Sequence, residues 1–109
     1  MESVVKYVVC FLLALLSLEA YAQNTLFCGE IKRMRAWANG SATYNVWIEY
    51  INNPISCAGG FYVAPDTQNE ELIYSLALSA KAADKRVCIQ ANPVNIIGNR
   101  CLLNYIMHD

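Results

Sequence analysis

The chain has 109 residues, 56% of them hydrophobic, with 8 basic and 9 acidic side chains, one histidine and a formal net charge of −1. That length suits one small domain and leaves little room for a second. A near-neutral balance gives no electrostatic basis for wrapping nucleic acid, which needs many phosphate-neutralising side chains.

Lys6 gives a weakly basic start, 8–18 is an apolar run, and Ala20-Tyr21-Ala22 is an A-x-A cleavage site before Gln23. We therefore expect an export signal over 1–22 and one mature domain over 23–109. The run falls short of the roughly 18 unbroken apolar residues of a spanning helix, and no later stretch reaches that length. The mature chain is thus expected to have no membrane span. Tyr7-Val8-Val9 before Cys10 lacks the small residue of a lipoprotein box, so an unanchored periplasmic or secreted product is expected.

Residues 27–38 read as a strand, and Asn39-Gly40 after it is the strongest short hairpin signal. The strand carries Lys32, Arg33 and Arg35 against Glu30; a local excess of cations is ordinarily a solvated face and less often an anion site. Residues 43–51 alternate well, with Val46, Ile48 and Tyr50 on one face and Trp47, Glu49 and Ile51 on the other. Asn52-Asn53-Pro54 breaks this strand, and 61–63 form a short third one. Pro65-Asp66-Thr67 opens a helix, with Thr67 and Glu70 matching the capping-box pattern. Leu72, Leu76, Ala80 and Ala83 recur at helical spacing, widened by Ile73 and Ala77, while Tyr74, Leu78 and Ala82 lie off that stripe. A fourth strand is expected over 86–91, a turn at Asn92-Pro93, another at Gly98-Asn99, and a fifth strand over 100–107.

The order β-β-β-α-β-β, mainly β with one helix, predicts a five-stranded barrel of the oligonucleotide/oligosaccharide-binding (OB) type, with the helix between strands three and four. An α+β sandwich is the rival architecture. Cys28, Cys57, Cys88 and Cys101 are an even set in an exported chain, the signature of two disulfides, and three pairings are open. A zinc site is the weaker reading, because no Cys-x-x-Cys is present and the sole histidine is His108 near the C-terminus. No metal and no cofactor are expected.

Cys28-Gly29-Glu30-Ile31 opens a strand, Gly40-Ser41 closes a hairpin, and Tyr74-Ser75-Leu76-Ala77-Leu78-Ser79-Ala80 precedes Lys85-Arg86-Val87-Cys88-Ile89. This layout resembles the small exported B subunits of bacterial AB5 toxins, the Shiga-type above all. It is also similar to a loose group of small exported bacterial proteins of unknown function. The resemblance covers Cys28 to about Ile106. It implies the barrel fold, a pairing of Cys28 with Cys101 that leaves Cys57 with Cys88, a homo-oligomeric ring with helices at its centre, and recognition of cell-surface glycans. The second bridge departs from the Shiga-type pattern, and no position matches a glycan motif of that family.

Catalysis has little support, since nucleophilic hydrolysis needs a base beside its nucleophile and His108 is placed where chains fray. Glu30, Glu49, Asp66, Glu70, Glu71 and Asp84 are too scattered to form a glycosidase pair. We therefore expect no enzyme. The aromatic residues of the first strands are the better candidates, because flat rings either fill a small barrel or stack on a ligand outside it. Trp37, Tyr44 and Trp47, with Arg33 and Arg35, form the expected binding set, Trp37 being exposed at the hairpin tip. Asn39-Gly40-Ser41 also matches the N-glycosylation acceptor, which a tight turn explains equally well. The expected function is a binding module for a glycan or protein ligand; the other reading is a structural or inhibitory protein acting through protein contacts.

Overall fold

A computed structural model describes residues 24–38 and 45–109. The expected export signal, the expected turn at Asn39-Gly40, the acceptor pattern there and Tyr44 lie outside the described residues. The elements run β1 (Thr25–Ala36), β2 (Val46–Tyr50), a 3-10 turn (Ile55–Cys57), β3 (Gly60–Val63), α1 (Glu70–Ala82), β4 (Arg86–Ile97) and β5 (Arg100–His108). The strands close a barrel in the order β1-β2-β3-β5-β4, with β4 returning to β1. All pairings are antiparallel except β3 with β5. With the helix between β3 and β4, this is an OB-like fold. Three register shifts, with the extra residues at 32 in β1, at 104 in β5 and at 93–95 in β4, bend the strands round the closure.

The alternation that the sequence displays in β2 decides what fills the barrel. Val46, Ile48 and Tyr50 point inward with Phe61 and Val63 of β3 and Val87, Ile89 and Ala91 of β4. Tyr50 sits edge-on to Phe61, ring centroids 4.9 Å apart. Its hydroxyl donates to the Phe27 carbonyl at 2.8 Å, which satisfies the one polar group on a buried ring. Burial pushes the Tyr50 phenol well above its ordinary range. The ring has room because Gly29 faces it; a Cβ there would come within 2.8 Å of Tyr50 Cδ2.

The disulfides are Cys28–Cys88 and Cys57–Cys101, which overturns the expected pairs 28–101 and 57–88. The barrel order gives the reason. β4 lies between β1 and β5, so Cys28 stands directly opposite Cys88 in the ladder. Cys101 instead faces the core from β5, opposite Phe61 and beside Cys57, and both of these cysteines are fully buried. Each bond therefore fastens a pairing between strands far apart in sequence, the β1·β4 seam and the β3·β5 side, where chain-closure entropy is largest.

Elsewhere the chain departs from its local signals. The helix starts at Glu70, three residues after Thr67. The Thr67 hydroxyl donates to the Ala64 carbonyl at 2.8 Å, and the Glu70 carboxylate accepts from the Asn45 amide at 3.0 Å. The capping box is thus replaced by a turn and a tertiary contact. The helix buries Ala77 and Ala80, flanked by Ile73, Tyr74 and Leu76, while Leu72 is 69% exposed. The buried face has turned from Leu72 towards Tyr74, with the two alanines where the helix backbone approaches the barrel. At its end Asp84 adopts φ 53°, and Lys85 N–H donates to the Ala80 carbonyl at 2.8 Å, closing a Schellman-type cap. Asn92-Pro93 does not turn the chain. β4 continues to Ile97, with 93–95 displaced as a bulge and the Asn92 side chain accepting from Val94 N–H at 2.9 Å. A bulge tolerates the proline because no ladder donor is needed there. The C-terminus is likewise tied down: His108 pairs with Val87, and Arg86 binds the Asp109 carboxylate at 2.9 Å.

Candidate functional site on the outer barrel face

Side chains alternate across a strand, so the residues between the core positions of β1, β2 and β3 share the outer face. Ladder register aligns two rows across it. One runs Arg35, Trp47, Tyr62 and Leu102; the other runs Arg33, Glu49 and then Gly60 and Arg100. Gly60 is the pivot of the second row. It has φ +96°, and a Cβ there would collide with the Ile48 carbonyl, so only glycine fits. With no side chain on β3 in this row, Arg100 of β5 reaches across to β2.

The Arg100 guanidinium lies 3.3 Å from the centroid of the Trp47 ring, its Nη2 is 3.5 Å from Glu49 Oε1, and its Nη1 donates to the Gly98 carbonyl at 3.1 Å. Glu49 also takes Arg33 Nε on its other oxygen at 3.1 Å. Trp37 packs edge-on to Trp47 with centroids 4.6 Å apart. Arg35 stands over both rings, 5.0 Å from Trp47 and 5.7 Å from Trp37. Tyr62, opposite Trp47, is nearly buried, and that burial raises its phenol above the usual value. Cation–π contacts of this kind contribute about 0.5–1 kcal/mol when exposed and about 2 kcal/mol when desolvated.

The structure therefore brings Arg33, Arg35, Trp37 and Trp47 together on one rigid face. Trp37 is half-buried against Trp47 rather than standing clear at a hairpin tip. Two members of the cluster went unrecognised in the sequence. Glu49 reads there only as one scattered carboxylate. Arg100 reads only as the residue after a Gly98-Asn99 turn, and nothing local signals that β5 lies beside β3. Chemically the face offers two indole rings and three guanidiniums against a single carboxylate. A second hollow, of about 320 Å³, is lined by Ala36, Val46, Glu70, Glu71, Tyr74 and Ser75 beside the helix N-terminus. The disulfide sulfurs are bonded to one another, so the Cys28, Cys88 and Asp109 grouping offers no thiolate to a metal. No helix among the described residues is long and apolar enough to cross a membrane. No family model, no curated protein and no solved structure matches the chain.

Proposed function

We propose that this protein is a small exported recognition module that binds a glycan through the outer face of β1 and β2, without catalysing a reaction. The observation that carries the proposal is the Trp37–Trp47 pair held between Arg35 and Arg100, with Trp47 on β2 beside β3, the two strands whose face takes ligands in OB-type barrels. A cluster of amphipathic rings and fixed donors on rigid strands is a preorganised binding surface. The two disulfides fit an oxidising compartment. The non-catalytic reading is supported by the engagement of the candidate reactive groups: Glu49 is shared by two guanidiniums, and the four cysteines among the described residues are cross-linked.

Trp37 and Trp47 are the only tryptophans of the chain, so fluorescence excited selectively from tryptophan reports on this face alone. A glycan array probed with the purified protein, followed by fluorescence titration of the hits, tests the proposal. Binding that Trp47→Ala abolishes is expected; array hits that leave the fluorescence unchanged would move the site elsewhere, and an array without hits would refute the glycan reading. Leu72 and Leu78, 69% and 48% exposed on α1, favour assembly of several copies around the helix. Such a ring would multiply weak glycan sites by avidity. Light scattering over a range of concentrations tests it, and a monomer throughout would end the ring proposal.

A further inference from the structure

Resting on that reading, we infer that the saccharide recognised by this face carries an anionic group, a carboxylate or a sulfate ester, seated on Arg35 with Arg33 beside it. The three guanidiniums of the cluster have different standing. Arg100 is committed to the protein: its side chain is 17% exposed, it caps the Trp47 ring, and it is held by Glu49 and the Gly98 carbonyl. It positions the ring and the carboxylate. Arg33 shares the same carboxylate but keeps a side chain 56% exposed. Arg35 is exposed, and among the described residues it has no carboxylate within ion-pair reach. Glu49 therefore leaves an excess of two positive charges on this face, in a chain whose net charge is −1.

The Arg35 guanidinium carbon lies 5.0 Å from the Trp47 centroid and 5.7 Å from the Trp37 centroid. A guanidinium is planar and carries five N–H donors in a fixed fork that matches the two oxygens of a carboxylate or sulfate. With no carboxylate in ion-pair reach among the described residues, the fork of Arg35 suits such a group. A neutral sugar gains much less here. Its natural contact is stacking on an open ring, and Arg100 at 3.3 Å already covers the Trp47 ring, with Arg35 at 5.0 Å. Displacing a cation from that ring would cost the contact it makes, whereas an anion adds to it. A single-stranded nucleic acid is also a poorer fit. It needs successive stacking platforms along a basic track, and here two rings pack against each other beside a short patch.

The test is fluorescence titration of the purified protein with four hexamers: maltohexaose, sulfated maltohexaose, an oligogalacturonate and an oligothymidylate. The expected result is binding of the sulfated or carboxylated sugar at least tenfold tighter than maltohexaose, weakening as salt is added. The preferred arm separates sulfate from carboxylate. Arg35→Gln is expected to cut that affinity at least tenfold, while Lys85→Gln, which removes the same charge away from the site, leaves it within twofold. Maltohexaose binding as well as the anionic sugars would overturn the inference and leave the glycan reading standing. Tighter binding of the oligothymidylate, equal losses in Arg35→Gln and Lys85→Gln, or no binding by any hexamer would each overturn it. Should the glycan array also give no hits, the broader reading falls with it.

Discussion

Removing the Cys28–Cys88 bond by the double change Cys28→Ser, Cys88→Ser should cost about 4 kcal/mol, by the following reasoning. The bond closes a loop of 60 residues, and Cys57–Cys101 closes one of 44. The chain-entropy relation gives about 4.3 kcal/mol for the first loop taken alone and about 4.0 kcal/mol for the second. The two loops interleave, however, so with Cys57–Cys101 intact the shortest path from Cys28 to Cys88 runs through that bond and shrinks to roughly 42 residues. The expected cost then becomes about 4 kcal/mol, almost unchanged, because closure entropy depends only on the logarithm of length. Cys28 is exposed, but Cys88 is buried, so the serine hydroxyl placed at 88 adds to this cost rather than reducing it. For a domain of this size that loss is a large fraction of total stability. Urea unfolding of the variant, at a slope of about 1–2 kcal/mol/M, should show a midpoint about 2–4 M lower. A loss below about 1 kcal/mol would refute the reasoning, because it would mean that β1 and β4 stay together in the unfolded chain without the bond. Peptide mapping of the non-reduced protein checks the connectivity itself; a peptide joining Cys28 to Cys101 would overturn the barrel order on which the estimate stands.

Three further outcomes are expected. Tyr50→Phe should cost about 1 kcal/mol at neutral pH through loss of the bond to the Phe27 carbonyl. Because the folded-state pKa of Tyr50 is raised above its unfolded value, the folded protein holds this proton more tightly. Stability should therefore fall as pH rises above about 10, and chemical denaturation at pH 7 and 11 should show that fall reduced in Tyr50→Phe. Gly29→Ala drives a methyl against the Tyr50 ring and should cost about 1–3 kcal/mol; an unchanged melting temperature would mean that the ring moves aside freely. Asp84→Gly should stabilise the protein by up to about 1 kcal/mol, since it relieves a left-handed backbone at φ 53° and removes a negative charge from the helix C-terminus. A loss of stability in that variant would assign the Asp84 side chain a contact that outweighs both terms.

The legible parts of this fold are those set by neighbours in sequence. Val46, Ile48 and Tyr50 alternate because one face of β2 lines the barrel, and the strand reads correctly wherever that holds. The helix reads correctly as an element. Its buried face does not, because Ala77 and Ala80 were chosen by how closely a backbone can approach the barrel, a property of the partner rather than of the helix. Thr67 and Asn92-Pro93 mislead for a related reason. Each is a local signal whose groups the fold uses otherwise, Thr67 on the Ala64 carbonyl and Asn92 in a bulge.

The disulfides and the site extend the same argument. Arg35 and Trp47 oppose each other across consecutive strands, so their meeting needs only that β1 and β2 pair as neighbours in the chain. Cys28 and Cys88, Cys57 and Cys101, and Arg100 with Glu49 all meet through the pairings of β1 with β4 and of β3 with β5. Those pairings join strands that are not consecutive, and a strand carries no local mark of a partner it reaches only after a helix or another strand intervenes. The order β-β-β-α-β-β narrows the topologies, yet which residue opposes which depends on register. A slip of one residue would put Arg100 inside the barrel and Cys101 outside. The buried Cys57–Cys101 bond opposes that slip by holding Cys101 to the core face. The same cross-link that stabilises the barrel thus fixes the neighbouring Arg100 on the outer face, over the Trp47 ring.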